Sequence, residues 1–255
     1  MLVCSYNAVE FIEATIRSVM NQTYRNLEIL VLDNASEDGT VGVLERLCGE
    51  DPRIKLFAGR DNLGAYGGLN YLLDRAKGTY IAIQDHDDIW HREKIGRQVE
   101  FLENDSRYIG CGTAIINHYE KYDVFLLRRQ PNVSRIAWHT SLVFRNHGFR
   151  YNAEAKVAND FYFMKHLLCR DGRHIYNYPE PCVLRTIWAD RSNLSTKWIA
   201  SGNLGEILRV RINVFDKLTL FFRLLLPEHI ADYLVLRVFL RRHILSEADV
   251  EAYFS

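Results

Sequence analysis

The sequence predicts an α/β fold in which a mostly parallel sheet is flanked by helices, with a helical extension at the C-terminus. Residues 1–117 alternate short apolar runs with segments of helical periodicity, the order that builds such a sheet. The 255 residues are 48% apolar and 25% charged, which is typical of one globular domain with a modest extension. Polar clusters also follow three of the apolar runs directly, at the position where open α/β sheets bind ligands.

The elements of the first part follow from hydrophobic periodicity and turn residues. Strands are predicted at residues 2–5, 27–33, 54–58, 79–84 and 108–116. Asn7 and Glu10 are placed as a capping box for the first helix, whose apolar face contains Ile12, Ile16, Val19 and Met20. Further helices are expected at residues 41–47, in the stretch closed by Gly78, and from about His91 with an apolar face of Ile95, Val99 and Leu102.

The chain is less regular after residue 117, and three parts are expected: 1–117, 118–197 and 198–255. The middle part completes the same domain, with a strand at 141–145, a helix at 157–169 and an extended segment at 175–187. The last part is predicted to be helical, with two apolar and basic segments at 213–227 and 231–245. These segments suit peripheral membrane association, or a helical cap that packs on the core or forms a homodimer.

Charge and cysteine content exclude several classes of protein. The 32 basic residues balance 32 acidic ones, so nucleic acid is not an expected partner. The five cysteines are widely spaced without a CxxC pair, which argues against disulfides or structural zinc and favours a reduced, cytoplasmic protein. The first residues do not resemble a secretory signal, and the apolar runs are too short to span a bilayer.

The acidic run Asp85, Asp87 and Asp88 is the leading candidate site. On an extended chain the first two side chains point the same way, and three close carboxylates repel one another unless a cation neutralises them. Oxygen ligands favour Mg²⁺ or Mn²⁺ over zinc. The alternative is a solvated acidic turn that caps the following helix. The polar clusters after two other strands favour a site, and they contain Ser5, Tyr6, Asn7, Asp33 and Asn34.

Two stretches of the chain carry a family resemblance. They read SYNAVEFIEATIRSVMNQTYRNLEILVLDNASEDGT, from residue 5, and NLGAYGGLNYLLDRAKGTYIAIQDHDD, from residue 62. Both resemble blocks of the inverting glycosyltransferase family numbered two, and the match is nearly continuous from residue 3 to about 103. The resemblance implies the nucleotide-sugar-binding fold called GT-A. The pattern is similar to bacterial members that build cell-surface polysaccharides, including rhamnosyltransferase-like proteins.

The resemblance implies a donor site with named residues. The base and ribose pocket would be lined by Ser5, Tyr6, Asn7, Asp33 and Asn34. Asn34 stands where the family has a second Asp, and its amide can pair with uracil or thymine, so a UDP- or dTDP-sugar is the expected donor. The loop that closes over the donor would contribute Asn62, Gly64 and Asn70. In the acidic run, Asp85 would contact the ribose or sugar and Asp87 would bind Mn²⁺ or Mg²⁺. Asp88 would be a supporting ligand of the cation or a further contact to the sugar.

The second half resembles the family less closely. KVANDFYFMKHLL is similar to a segment in which a Glu-Asp pair precedes an amphipathic helix and the Asp is the general base. This implies Asp160 as the base, with Asn159 in place of the Glu, and the alternative is an acid that stabilises a helix N-terminus. The implied acceptor-binding residues are His139 and Trp188, the second of which replaces a family His. Positive charge near the diphosphate would come from Arg185 or Arg191.

The sequence therefore predicts a metal-dependent inverting glycosyltransferase. It would move a sugar from a nucleoside diphosphate to a hydroxyl group of a glycan or lipid-linked acceptor. A nucleotidyltransferase is one alternative, although the loop after the first strand lacks the glycines and basic residues which that class needs. A non-catalytic homologue that binds nucleotide-sugar or carbohydrate is the other, and it is suggested by Asn159 and Trp188.

Overall fold

A computed structural model describes residues 1–152, 159–188 and 243–254 of the chain. Its strands are β1 (Leu2–Ser5), β2 (Ile29–Asp33), β3 (Ile54–Ala58), β4 (Tyr80–Gln84), β5 (Asp88–Trp90), β6 (Tyr108–Tyr119), β7 (Val124–Arg128), β8 (Val133–Ser134), β9 (Val143–Arg145), β10 (His174–Ile187) and β11 (Ile244–Leu245). Its helices are α1 (Ile12–Met20), α2 (Thr40–Glu50), α3 (Gly64–Leu73), α4 (Lys94–Asn104), α5 (Asn159–Tyr162, continued by the π-helical turns Phe163–Leu168) and α6 (Glu247–Phe254). Short 3₁₀ turns cover Glu120–Tyr122 and His139–Ser141.

The first part of the chain forms a parallel sheet in the order β3, β2, β1, β4. β1 pairs in parallel with β2 and β4, and β2 pairs in parallel with β3. Parallel neighbours need crossover connections, which α1, α2 and α3 supply. All five residues of β2 are buried, as expected for a strand covered on both faces.

Side chains of the strands alternate between two layers of helices. Val3 and Val31 face the layer of α1, α2 and α4, whose buried apolar residues include Ile12, Ile16, Leu44 and Val99. Leu30 and Leu32 face the opposite layer of α3 and α5, whose buried residues include Leu69, Leu72 and Phe163. Successive strand residues point to opposite faces, so each apolar run of these strands serves both layers. The predicted α/β fold, a sheet flanked by helices, is confirmed.

Antiparallel and mixed pairings extend the sheet beyond β4. β9 is antiparallel to β4 and β6, and β6 is antiparallel to β7. The long strand β10 runs parallel to β6, with register shifts on both sides of Pro181. Near its end β10 is antiparallel to β5, with Arg185 opposite Asp88. This pairing brings the second half of the chain beside the acidic run.

The capping box predicted for α1 is wrong. The cap position is Phe11, and it makes no side-chain capping hydrogen bond. Asn7 has a positive φ of 48°, and its Oδ1 accepts a hydrogen bond from the Glu37 N–H instead of an α1 amide. The side chain that the pattern assigned to the helix therefore joins two loops.

The predicted extended conformation of the acidic run is also wrong. Residues 85–87 form a turn between β4 and β5, and the Asp88 N–H bonds back to the Asp85 carbonyl at 3.4 Å. Two helix boundaries differ as well, because α3 ends at Leu73, before Gly78, and α4 starts at Lys94 rather than near His91.

The C-terminal predictions are tested only in part. The helix expected at 157–169 starts at Asn159 in the described residues and continues as π-helical turns. The second apolar and basic segment ends in a strand rather than a helix, since β11 pairs with β7. The rest of the two segments and Arg191 lie outside the described residues, and the division of the chain at 117 and 197 stays a prediction. No helix within the described ranges is long and apolar enough to cross a membrane.

Candidate active site

Three loops meet at the carboxyl edge of the parallel strands. Ser5 and Asp33, the last residues of β1 and β2, are paired partners across the sheet. On the other side of β1, Val3 pairs with Gln84, the last residue of β4. The polar residues at 5–7, 33–34 and 85–88 therefore follow neighbouring strands at one edge. Ligands of open α/β sheets bind in this position.

Hydrogen bonds join the loops after β1 and β2. Asn7 donates its N–H to Ser36 Oγ and accepts the Glu37 N–H, each at 2.9 Å. Asp33 Oδ2 accepts the Ser36 N–H at 3.0 Å, and the buried Ser5 hydroxyl donates to a β2 carbonyl at 3.2 Å. These bonds hold the two loops in a fixed relation at the strand ends.

Asp33 and Tyr6 are the side chains of these loops best placed for a ligand. Asp33 is 1% exposed, yet its Oδ1 has no hydrogen-bond partner among the described residues. A buried acceptor without a partner is costly, so a bound group that donates a hydrogen bond there gains affinity. Tyr6, on the β1 loop, is 43% exposed and is therefore accessible to a ligand.

Asn34 binds the neighbouring loop. Its Nδ2 donates to Asn62 Oδ1 at 3.0 Å and to the Gly64 carbonyl at 3.2 Å, and its Oδ1 accepts the Leu63 N–H at 2.9 Å. The amide is therefore already paired on both sides, which differs from the expected contact with a pyrimidine base. Asn62 and Gly64 are brought to the site by this contact, at the start of α3.

Asn70 is tied to the second half of the chain. Its Nδ2 donates to the Tyr151 carbonyl at 2.9 Å, and its Oδ1 accepts the Tyr151 N–H at 2.8 Å. Both hydrogen-bonding groups of the amide are thus used to anchor the segment that follows β9. This role was not foreseen, because the two residues are 81 positions apart.

Asp85 is paired with His139. His139 Nδ1 lies 3.7 Å from Asp85 Oδ1, and the His139 side chain is 14% exposed. Burial opposes ionisation of Asp85, but the positive charges of His139, Arg185 and His86 outweigh it and lower the pKa of Asp85 to about 2. Asp85 is therefore a carboxylate at neutral pH.

Asp87 is held by Trp188. The indole Nε1–H donates to Asp87 Oδ2 at 3.0 Å, and the Trp188 ring packs against Phe11 with a centroid distance of 4.4 Å. The backbone of the turn is held as well, because Thr15 Oγ1 donates to the His86 carbonyl at 2.9 Å. Trp188, which stands where the family resemblance implies a His, therefore contacts the acidic turn directly.

Asp88 differs from its neighbours because it is completely buried. Burial and the negative charge of Asp85 raise the pKa of Asp88 well above its ordinary value, against the opposing charge of Arg185. A fully solvated acidic turn is therefore not what the structure contains. In the part of the chain that is described, no group of three or more His, Cys, Asp or Glu side chains forms a ready cation cluster.

Asp160 lies in the first turn of α5, beside a cluster of aromatic rings. Its Oδ1 accepts the Phe161 N–H at 2.8 Å, and the side chain is partly exposed. Burial raises the pKa values of Tyr66 and Tyr151, and the negative charge of Asp160 raises both further, so the Asp160 carboxylate lies within electrostatic range of both hydroxyl groups. The first-turn position agrees with the alternative interpretation of Asp160, an acid that stabilises a helix N-terminus.

Tyr66, Tyr151 and His139 connect Asp160 to the acidic turn. Tyr66 and Tyr151 stack with a centroid distance of 5.3 Å, and the Tyr151 hydroxyl lies 2.8 Å from His139 Nε2. His139 therefore contacts Asp85 through one ring nitrogen and Tyr151 through the other. Sequence reasoning missed both tyrosines and Phe11. Tyr66 offered one signal, as a bulky residue among the glycines of GAYGG, whereas Tyr151 offered none.

Comparison with solved structures supports the fold. The TarS protein of S. aureus (residues 1–349), in complex with UDP-GlcNAc, aligns with a TM-score of 0.63 at 16% identity, over 91% of this chain and 71% of that one. A mannosyltransferase from Pyrobaculum calidifontis, in complex with GDP-Man and Mn²⁺, aligns with a TM-score of 0.62 at 17% identity, over 92% and 68%. At this identity the comparison shows a shared GT-A-like fold.

Sequence comparison identifies the family. An uncharacterized glycosyltransferase of Haemophilus influenzae is 30% identical over 209 residues, which are 72% of this chain and 63% of that protein. A UDP-Glc:α-D-GlcNAc-diphosphoundecaprenol β-1,3-glucosyltransferase of Escherichia coli is 42% identical over 116 residues, 45% of each chain. The matches thus span less than two thirds of these relatives. Residues 1–164 match the model of glycosyl transferase family 2, and the chain belongs to that family.

Proposed function

We propose that this protein is an inverting glycosyltransferase of surface-polysaccharide synthesis. It transfers a hexosyl or deoxyhexosyl group, for example rhamnosyl, from a UDP- or dTDP-sugar to a hydroxyl group of a glycan or lipid-linked acceptor. The observation that carries this proposal is the contact chain Asp85–His139–Tyr151, which links the acidic turn to the surroundings of Asp160. In this proposal the donor site and the candidate base belong to one site.

The donor would bind across the ends of β1, β2 and β4. A donor N–H or O–H of the base or ribose would satisfy Asp33 Oδ1, with Tyr6 against one face of the bound group. Because the Asn34 amide is paired with the 62–64 loop, we assign it to shaping that loop rather than to reading the base. The UDP-sugars in the names of the TarS complex and the Escherichia coli relative support a uridine donor, whereas the mannosyltransferase binds GDP-Man.

The acidic turn fits a divalent cation, Mn²⁺ or Mg²⁺. Carboxylate oxygens are the donors that these ions prefer, and one or two of them suffice when substrate phosphates supply the remaining ligands. We assign Asp87 to the cation, Asp85 to the ribose or sugar, and the buried Asp88 to supporting the turn. When bound, the cation would offset the negative charge that the diphosphate gains as it leaves. Arg185, opposite Asp88, would add positive charge.

Asp160 is the proposed general base. An acceptor hydroxyl is a poor nucleophile until a carboxylate accepts its proton during attack on the anomeric carbon, an effect worth roughly 100- to 10,000-fold. Attack from the face opposite the leaving diphosphate inverts the anomeric configuration. His139 and Tyr151 would border the acceptor, since His139 contacts both Asp85 and the Tyr151 hydroxyl.

The acceptor and the cellular location are proposed from the name of one relative and from the state of the cysteines. The Escherichia coli relative is named for a diphosphoundecaprenol-linked acceptor, which supports a lipid-linked acceptor here. All five cysteines are free thiols, which suits the cytoplasm, at the inner face of the membrane for a lipid-linked acceptor. Peripheral membrane association or a homodimer through the C-terminal segments remains part of this proposal.

Turnover of nucleotide-sugars tests the proposal directly. UDP-, dTDP- and GDP-sugars are offered with Mn²⁺, and release of the nucleoside diphosphate is measured for the wild type, Asp160→Asn and Asp171→Asn. Asp171 is a matched control, because its carboxylate pairs with Arg173 at the surface. We expect Asp160→Asn to lose roughly 100- to 10,000-fold in turnover because an amide cannot accept the proton. Donor binding, measured by thermal shift, should survive in both variants.

Other results would contradict specific parts of the proposal. Full turnover by Asp160→Asn would remove Asp160 as the base. Binding of a nucleotide-sugar without turnover by the wild type would favour a non-catalytic homologue. Release of pyrophosphate from a nucleoside triphosphate and a sugar phosphate would identify a nucleotidyltransferase.

A further inference from the structure

We propose that Trp188 is a positioning residue that fixes the Asp87 carboxylate and thereby sets the affinity of the site for a divalent cation. This inference rests on the proposed function, in which Asp87 holds the cation. It assigns Trp188 to the donor side of the site rather than to the acceptor.

The sheet topology brings Trp188 to Asp87. β5 begins at Asp88, directly after Asp87, and β10 ends at Ile187, directly before Trp188. The two strands are antiparallel, with Arg185 opposite Asp88. The residue before one strand and the residue after the other therefore leave the sheet at the same end. A contact across 101 positions of sequence is thus built into the strand pairing.

The hydrogen bond from Trp188 can orient the Asp87 carboxylate, but Trp188 is not itself a cation ligand. The indole Nε1–H of Trp188 donates to Asp87 Oδ2 at 3.0 Å. Indole nitrogen is a donor only, so this side chain cannot itself bind a cation. A carboxylate has two oxygens with about four acceptor positions, so one hydrogen bond leaves capacity for a further ligand. Trp188 can therefore act on a cation only through Asp87.

Packing holds the indole in the orientation that this hydrogen bond requires. The ring lies against Phe11, at the N-terminus of α1, with a centroid distance of 4.4 Å and an interplanar angle of 41°. Thr15 of the same helix donates to the His86 carbonyl at 2.9 Å. Helix α1 therefore supports the acidic turn twice, because the Thr15 hydroxyl binds the backbone of the turn and Phe11 packs against the indole that contacts Asp87. Groups that hydrogen-bond to metal ligands in this way typically change metal affinity 10- to 100-fold.

Replacement of Trp188 by Phe separates the hydrogen bond from the packing. Trp188→Phe keeps an aromatic ring against Phe11 but removes the N–H. Trp138→Phe is the matched control, because Trp138 Nε1 has no hydrogen-bond partner among the described residues. Asp87→Ala serves as the reference for loss of the cation site. Free Mn²⁺ is measured by electron paramagnetic resonance during titration of each protein in saturating UDP, without turnover.

We expect Trp188→Phe to bind Mn²⁺ about 10- to 100-fold more weakly than the wild type, with Trp138→Phe unchanged. The unfolding temperature without ligand and the affinity for UDP without metal should stay at wild-type values. The turnover rate should recover at high Mn²⁺ concentration, which a general structural defect would not produce. Wild-type Mn²⁺ affinity in Trp188→Phe, with loss in Asp87→Ala, would overturn this inference alone. Absence of Mn²⁺–UDP binding in the wild type would overturn both it and the proposed cation site.

Discussion

His139 is one of the residues at which the two halves of the chain meet within the candidate site. It lies 3.7 Å from Asp85 on one side and 2.8 Å from the Tyr151 hydroxyl on the other. Burial lowers the pKa of His139, but the charges of Asp85 and Asp160 raise it more, so the net shift from 6.5 is upward. While His139 is protonated, it and Asp85 therefore stabilise one another as an ion pair.

Replacing Asp85 by Asn should lower the pKa of His139, because the main group that opposes the effect of burial is removed. The pKa is measured by NMR titration of the imidazole signal, and the other histidine signals serve as internal controls. A His139 pKa that is unchanged in Asp85→Asn would show that Asp85 is not its main partner.

The same pair gives a dependence of stability on pH. The pKa of His139 is higher in the folded state than its unfolded value of 6.5, so protonation of His139 stabilises the folded state. This stabilisation is complete below pH 6.5 and is lost as pH rises through the folded pKa. The contribution of Asp85 is lost only as pH falls through about 2. The stability difference between wild type and Asp85→Asn should accordingly shrink as pH rises through the raised pKa of His139.

At the scale of the element, α3 shows how a helix is fitted to the sheet below the site. Gly68 faces β1 and β2 so closely that an added Cβ would overlap the Cys4 sulfur and lie 3.1 Å from Leu32 Cδ2. α3 also starts at the loop that Asn34 holds, and it carries Tyr66 and Asn70. The distance between α3 and the sheet therefore influences several site residues together.

Gly68→Ala should destabilise the protein by about 1–3 kcal/mol, because a methyl group is forced into a filled space. Gly42→Ala in α2 is the matched control, since nothing lies within 4 Å of its added Cβ and alanine favours helix. Stability is measured by urea unfolding. Cys4→Ala combined with Gly68→Ala should recover part of the loss, and a purely additive double variant would contradict the proposed overlap.

Helix α4 illustrates what sequence patterns predict well and where they fail. Its apolar residues Ile95, Val99 and Leu102 are buried, as the helical spacing indicates. Lys94 and Gln98 are completely buried too, with Lys94 Nζ 2.9 Å from Gln98 Oε1 and 3.9 Å from the Trp90 ring centroid. A single sequence gives no signal for a buried lysine, because the compensating partners come from the tertiary structure.

At the scale of the whole molecule, a contact can be predicted from the sequence when its residues lie close together along the chain, and not when they lie far apart. The parallel half is built from neighbouring strand–helix units, so local periodicity predicted its strands and the edge at which its polar loops meet. The candidate site is completed by contacts across 81 positions, from Asn70 to Tyr151, and across 101, from Asp87 to Trp188. No local pattern encodes such contacts, since they depend on the pairing of β9 with β4 and of β10 with β5.

The anomeric configuration of the released sugar tests the central claim, direct displacement assisted by Asp160, most directly. The purified protein is given Mn²⁺ and the UDP- or dTDP-sugar that supports turnover, and the first product is observed by ¹H NMR before mutarotation. An α-linked donor should yield the β-sugar first, and Asp160→Asn should yield almost none at the same enzyme concentration. Initial release of the α-sugar, or equal release by Asp160→Asn, would contradict the account.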